Sequence, residues 1–167
     1  MERTLIIFKP DAVQRGIVGE VMTRFEKAGF KIVGLKMLQP SEEHYHKHYE
    51  GIGTLKTRKG NEIFESTLLS MQEGPVIAMV LEGVEAVSTI RKMVGSTEPK
   101  SALPGTIRGD FAHVNYNQAT TTGRAVANIV HASADLNEAK QEIDHWFKKE
   151  EIFDYRVVHE HFTQPKS

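Results

Sequence analysis

Val76-Ile77-Ala78-Met79-Val80-Leu81 is the strongest strand signal in the chain, six apolar residues in succession bounded by Gly74-Pro75 and Glu82-Gly83. An uninterrupted apolar run of this length between turn signals is a strand at the centre of a sheet, and the rest of the chain can be laid around it. Towards the N-terminus, Ile63, Phe64, Leu68 and Met71 give a short helix, and Glu50 to Asn61, rich in glycine and cations, has no sustained period and reads as a loop. Ser41 before Glu42 and Glu43 is an N-cap with acidic residues in the first turn, which predicts a helix through His44 to Tyr49. Lys31 to Leu38 alternates as a second strand, with Ile32, Gly34, Lys36 and Leu38 on one face and Val33, Leu35 and Met37 on the other. Val18, Val21, Met22, Phe25 and Ala28 have helical spacing and stop at Gly29. Thr4 to Phe8 is another buried strand, closed by Lys9-Pro10-Asp11, where proline removes the ladder donor.

Towards the C-terminus the expected order is a helix carrying Val84, Val87, Ile90, Arg91 and Val94, a long proline- and glycine-punctuated loop from Gly95 to Phe111, and a polar surface loop from Ala112 to Thr122. Ile129-Val130 then form a short strand leading into His131, and Leu136, Ala139, Ile143, Trp146 and Phe147 repeat at helical spacing. Ile152 to Tyr155 and the polar tail to Ser167 are expected to cover the core and fray. Strand, helix, strand, helix pair, strand, helix, long loop, strand, helix is the order of a ferredoxin-like (split βαβ) α+β fold. The expectation is therefore a four-stranded antiparallel sheet with helices on one face, in a single domain over residues 1–167.

The 167 residues hold no cysteine and carry a formal net charge of −1. Disulfides, thiolate metal sites and cysteine nucleophiles are thus excluded, and a dedicated nucleic-acid or membrane-surface binder is disfavoured. The apolar stretch after Met1-Glu2-Arg3 is too short for a signal or spanning segment, so a cytoplasmic protein is the expectation.

Chemistry concentrates at a few positions. His131 stands where a strand gives way to a turn and a helix, and Glu142, almost two turns from Asp135, is placed to fold back and fix its ring. An imidazole with one nitrogen tethered and the other free is a nucleophile near neutral pH. Lys9 lies at a strand's carboxyl end, where anionic ligands are met. Arg91, Thr97 and Arg108 supply two guanidinium forks and a hydroxyl suited to a polyphosphate. His44 and His48, four apart, invite a metal reading, against which stands a solvated helix face.

At Phe8-Lys9-Pro10-Asp11 with Gln14-Arg15-Gly16, at Thr97-Glu98-Pro99, at Pro104-Gly105-Thr106-Ile107-Arg108-Gly109-Asp110-Phe111 and at Asn128-Ile129-Val130-His131-Ala132-Ser133, the chain resembles nucleoside diphosphate kinases. The motifs recur in that family's order from the first strand to Tyr155. The resemblance implies transfer of the γ-phosphoryl group from a nucleoside triphosphate to a nucleoside diphosphate, by a ping-pong route through phosphohistidine. It implies Mg2+ carried on the nucleotide phosphates with no direct protein ligand, and a homo-oligomer, hexameric or tetrameric. His131 matches the phosphorylated histidine, and Glu142 with Ser133 the pair that orients it. Lys9, Tyr49, Arg91, Thr97, Arg108 and Asn128 match the remaining nucleotide-site positions. The usual base-stacking aromatic aligns with Ile63, next to Phe64, so either the platform is aliphatic or Phe64 turns in. Gly51 stands where many members have an aspartate, Ala132 replaces a glycine and Ala134 an aspartate, and insertions fall within 51–61 and 115–126. The alternative from another class is a catalytically silent nucleotide-binding relative.

Overall fold

A computed structural model describes residues 1–164 of the chain. The strand around Val76–Leu81 is β3 (Val76–Gly83), and it is central as its apolar run requires. It pairs antiparallel with β1 (Glu2–Phe8) from Glu2↔Gly83 to Phe8↔Ile77, and on its other side with β2 (Lys31–Leu38). The short strand β4 (Val130–Ala132) adds to the free edge of β1, giving the order β2-β3-β1-β4, the antiparallel four-stranded α+β sheet expected from the element order.

The helices lie on both faces of that sheet, which corrects the one-face expectation. Leu5 to Phe8 and Ala78 to Leu81 have no exposed surface, so neither face of the two central strands meets water. One face, Ile6, Phe8, Met79 and Leu81, packs on α2 (Val18–Lys27) and α6 (Ala86–Val94) through Val21, Phe25 and Ile90. The opposite face, Leu5, Ile7, Ala78 and Val80, packs under α3 (Glu42–His46), α5 (Asn61–Met71) and α9 (Leu136–Trp146) through Tyr45, Leu68 and Trp146. Apolar runs without alternation are the signature of strands covered twice, each buried Leu, Ile or Phe contributing about 1.5–3 kcal/mol.

In β2 the even alternation is interrupted. Ile32 faces Leu81 and Gly34 faces Val80, so Val33 is an extra residue bulging from the ladder, and it turns to the same core as Leu38 while Ile32 packs in the other. Leu35 and Met37 stay exposed at this sheet edge. The chain returns to β2 near the C-terminus: the Phe153 N–H donates to Val33 O (2.8 Å), the Tyr155 hydroxyl to Ile32 O (2.6 Å), and Lys31 lies among Glu82, Asp154 and Glu160. Of the expected tail, residues 165–167 lie outside the described residues.

Three expected loops contain short helices. Pro10 begins α1 (Pro10–Gln14), consistent with proline at a first helical position. The helix expected through Tyr49 gives way after His46 to a π-helical turn, Lys47–Ile52, that runs into the expected loop, which then holds α4 (Leu55–Lys59). The stretches read as loops at 95–111 and 112–122 end in α7 (Ile107–Phe111) and α8 (Tyr116–Thr122), capped by Thr106, which accepts from the Gly109 N–H, and Asn115, which accepts from the Gln118 N–H. A last short helix, α10 (Glu160–Thr163), closes the described chain, and no helix among the described residues is long and apolar enough to cross a membrane.

Candidate active site

The centre of the site is a strained turn. Ile129, a β-branched residue, has φ +74°, and the Val130 N–H donates across it to Asn128 O at 2.8 Å, which makes it the middle of a tight γ-turn. Such a conformation persists only where its surroundings determine it. Here the Asp11 carboxylate accepts the Ile129 N–H (3.1 Å), and the Lys9 N–H donates to Ile129 O (2.9 Å). Arg108 grips both sides of the turn, donating from Nε to Asn128 O (3.1 Å) and from Nη2 to Val130 O (2.6 Å), while Nη1 reaches Gly95 O (3.1 Å). Asp11 was not singled out from the sequence; its place after Lys9-Pro10 was the available signal.

The turn delivers His131 onto β4 opposite Ile7, with its ring partly buried and one nitrogen engaged. His131 Nε2 lies 2.7 Å from Glu142 Oε1, and the Ser133 hydroxyl donates to Glu142 Oε2 at 2.6 Å while accepting from the Leu5 N–H at 3.1 Å. Glu142 comes from α9, whose N-cap Asp135 accepts from the Glu138 N–H, so the cap fixes the helical phase that turns Glu142 inward. Ser133 and Glu142 have no exposed surface. Burial raises the Glu142 carboxyl above the usual range and thereby strengthens it as an acceptor. Burial first, and then the charges of Lys9, Arg108 and Arg91, lower the His131 imidazole to about 3, so the ring is neutral at pH 7. With Nε2–H given to Glu142, the lone pair is on Nδ1.

Cations gather around the ring. Lys9 Nζ donates to Asn128 Oδ1 at 2.7 Å, and Asn128 Nδ2 donates to Thr97 O at 2.9 Å, so one amide ties the first strand to the 95–98 segment. Arg91 lies beside β4, Nη1 donating to Ala132 O at 3.3 Å. Burial, aided by Arg108, lowers Lys9 to about 8; burial, aided by Arg91, lowers Arg108 to about 10. Asp11 offsets only part of the charge of Lys9 and Arg108, and the excess of cations is a site prepared for anionic charge. Tyr49 stands over the same ring, at 6.3 Å between centroids, with its buried hydroxyl lacking a partner among the described residues. A cleft of about 160 Å³ opens beside Lys9, walled by Asp11, Gln14, Thr67, Ser70 and Arg124.

This arrangement of a tethered neutral histidine facing three cations suits acceptance of a phosphoryl group. Residues 2–152 match the family profile described as Nucleoside diphosphate kinase. The chain belongs to the nucleoside diphosphate kinase family. Among curated relatives it is 45% identical to the nucleoside diphosphate kinase of Pyrococcus furiosus, with 99% of this chain and 95% of that protein covered. It is 41% identical to that of Borreliella burgdorferi, with 93% of each covered. The fold is similar to a transition-state mimic of the Borrelia burgdorferi enzyme with bound vanadate and ADP, at a TM-score of 0.93 and 40% identity, covering 97% of this chain and 96% of that one. It is also similar to the Halobacterium salinarum enzyme in complex with CDP, at a TM-score of 0.81 and 34% identity, covering 96% of this chain and 97% of that one. As a nucleoside diphosphate kinase the chain is a phosphotransferase of nucleotides.

Of the residues singled out from the sequence, Lys9, Tyr49, Arg91, Arg108, Asn128, His131, Ser133 and Glu142 converge, and Thr97 joins them through its carbonyl oxygen, its side chain being exposed. Phe64 does not. It is 3% exposed, packed in the core with the edge of His46 against its ring, so it does not turn into the cleft as one alternative held. Ile63 is 45% exposed and lies one turn before Thr67 on α5. The three histidines of 44–48 diverge: His44 stacks on His145 with centroids 3.9 Å apart, His46 lies against Phe64, and His48 is buried beneath His131. The π-helical turn accounts for this, because its wider spacing rotates His48 and Tyr49 inward together, and the solvated face expected for His48 is thereby corrected. His48, His131 and Glu142 form the metal-like cluster among the described residues, but Glu142 Oε1 is already engaged by His131 Nε2, so a cation there would displace the tether of the nucleophile.

Proposed function

We propose that this nucleoside diphosphate kinase works by a ping-pong route in which His131 Nδ1 attacks the γ-phosphorus of a nucleoside triphosphate. The Nδ1–P bond forms, the bond from γ-phosphorus to the bridging oxygen breaks, and the nucleoside diphosphate leaves with that electron pair; a second nucleoside diphosphate reverses the step. The observation that carries this reading is the 2.7 Å contact of His131 Nε2 with Glu142 Oε1, which leaves Nδ1 as the lone-pair nitrogen among Lys9, Arg91 and Arg108. As the ring takes on positive charge in the attack, the Nε2–H···Oε1 bond becomes charge-assisted, worth about 1.5–3 kcal/mol. The Ser133 hydroxyl holds the other carboxylate oxygen, so the ring cannot swing away with the phosphoryl group. Arg108 and Arg91 face the equatorial oxygens, Lys9 and Asn128 the sugar and phosphates, and Tyr49 offers its unpartnered hydroxyl to the phosphohistidine. Ile63 supports the base as an aliphatic platform.

Magnesium fits as a companion of the nucleotide. The acidic groups around the site, Asp11, Glu138 and Glu142, each already accept a hydrogen bond, which supports a cation held by phosphate oxygens with no protein ligand. Held there, magnesium would supply neutralisation of the phosphate charge. The exposed Leu35 and Met37 at the β2 edge support a homo-oligomer, hexameric or tetrameric, and a place in the cytoplasm follows from the nucleotide substrates rather than from any feature of the chain.

The pH dependence tests this reading. Imidazole at its ordinary value would lose nucleophilicity as pH falls through about 6.5. Because the His131 value is lowered to about 3, single-turnover phosphoryl uptake from ATP is expected to show no His131 titration between about pH 5 and 8. Lys9, lowered to about 8 in the free protein, sheds its charge above that pH, so KM for ATP is expected to rise there. An uptake rate falling tenfold per unit below about pH 6.5 would contradict the neutral nucleophile.

A further inference from the structure

Beneath the catalytic ring the structure holds a second imidazole to which nothing above assigns a task. His48 is 1% exposed, with its ring edge-to-face with that of His131 at 4.6 Å between centroids. Its Nδ1 accepts a hydrogen bond from the Trp146 indole N–H at 3.1 Å, and the same Nδ1 lies 3.5 Å from Glu142 Oε1. An indole nitrogen only donates, so His48 Nδ1 must carry the lone pair and the ring proton must be on Nε2, which has no partner among the described residues. This is a costly choice for a buried ring. The opposite tautomer would place a proton on Nδ1, facing the carboxylate oxygen on which His131 depends.

We infer that Trp146 and His48 are positioning residues for phosphoryl transfer. By occupying His48 Nδ1, the indole N–H prevents His48 from donating to Glu142 Oε1 and reserves that oxygen for His131 Nε2–H. The inference rests on His131 being the nucleophile. The chain of polarity runs from Trp146 N–H to His48 Nδ1 on one side and from His131 Nε2–H to Glu142 Oε1 on the other, with the two imidazoles unable to compete. Trp146 and Glu142 are four apart on α9, so one helix presents both the carboxylate and the group that guards it. Without the guard, a His48 Nδ1–H would share Oε1, weaken its hold on His131, and let the catalytic ring adopt the tautomer in which Nδ1 carries the proton and cannot attack.

The experiment is nitrogen-15 NMR of the histidine rings in the full-length protein together with single-turnover phosphorylation by ATP and magnesium. In the unaltered protein, His48 and His131 are expected as neutral Nε2–H tautomers; a His48 ring protonated on Nδ1 overturns the inference without any variant being made. In Trp146→Phe, His48 is expected to move to Nδ1–H and the phosphorylation rate to fall on the order of 10-fold or more, with KM for ATP little changed. Adding His48→Phe to that variant removes the competing donor while keeping an aromatic of similar size, and is expected to restore the His131 tautomer and most of the rate. A purely structural role for the pair predicts that the double variant is worse than the single one, and that result overturns the inference. Absence of any phosphoryl uptake in the unaltered protein would instead defeat the nucleophile assignment, and the ring tautomers would still be read.

Discussion

His131→Ala is expected to abolish phosphoryl transfer, with turnover falling on the order of 10^6-fold into background, as when the covalent nucleophile of an enzyme is removed. No neighbouring group can substitute. The nearest imidazole, His48, has its Nδ1 lone pair engaged by Trp146 and is buried beneath the site, and the hydroxyl of Ser133 is turned to Glu142. The fold should survive, because the ring is only partly buried and β4 is held by its ladder with β1 and by Arg108. Its cost should be about 1–3 kcal/mol, the penalty for leaving the buried Glu142 Oε1 without its donor. Nucleotide affinity should stay within a few-fold, since Lys9, Arg91 and Arg108 remain. Retained turnover in a coupled assay of nucleoside triphosphate formation would remove His131 from the mechanism.

Arg108→Ala is the second large effect, and it should appear in two measurements. Turnover should fall roughly 10^2–10^3-fold, the loss associated with one preorganised donor to a developing negative charge. Three of the five N–H donors of this guanidinium are committed to the carbonyl oxygens of Gly95, Asn128 and Val130, leaving two for a phosphate. Removing it therefore also releases the turn at Ile129, where the positive φ costs roughly 1–3 kcal/mol. A drop in unfolding free energy of at least about 3 kcal/mol is expected, from the loss of charge-assisted bonds to buried carbonyls. Arg108→Lys keeps the charge and loses the fork, so it should recover little of either quantity. A variant with full stability and slow turnover would mean that Arg108 serves the phosphate alone; full turnover would mean that it serves only the turn.

These two residues also show what could be read from the sequence. His131 and Glu142 were legible because strand, cap and helix phase each have a residue-level signature: Val130 runs into the histidine, Asp135 caps α9, and the stripe through Ala139, Ile143 and Trp146 sets where Glu142 points, whereas Arg108 was marked by its guanidinium chemistry and the family motif around it. The four strands were legible for the same reason. That helices cover both sheet faces was also written in Leu5–Phe8 and Val76–Leu81, whose runs do not alternate, although the element order alone had suggested one covered face. Hidden from periodicity were α4, α7 and α8, of five to seven residues, too short to carry an apolar stripe; Thr106 and Asn115, which cap two of them, stood in stretches read as loops. Hidden too was the bulge at Val33, since one extra residue in a ladder leaves no compositional mark. His48 was misjudged because an α-helical spacing was applied to a π-helical turn, and Phe64 because adjacency to the aligned position says nothing of which face of α5 it occupies. Asp11 and Trp146 act through a backbone N–H and a ring nitrogen that lie 118 and 98 positions away, contacts that only the folded chain brings together.

The central claim is a covalent phosphoryl group on His131, and the most direct measurement is intact-mass spectrometry after incubation with ATP and magnesium in the absence of acceptor. A single added phosphoryl group is expected, absent in His131→Ala, lost in acid, and passed to GDP when that is supplied. An unmodified mass from a protein that still binds ATP would contradict the account and leave a nucleotide-binding member of the family that has kept the site without its chemistry.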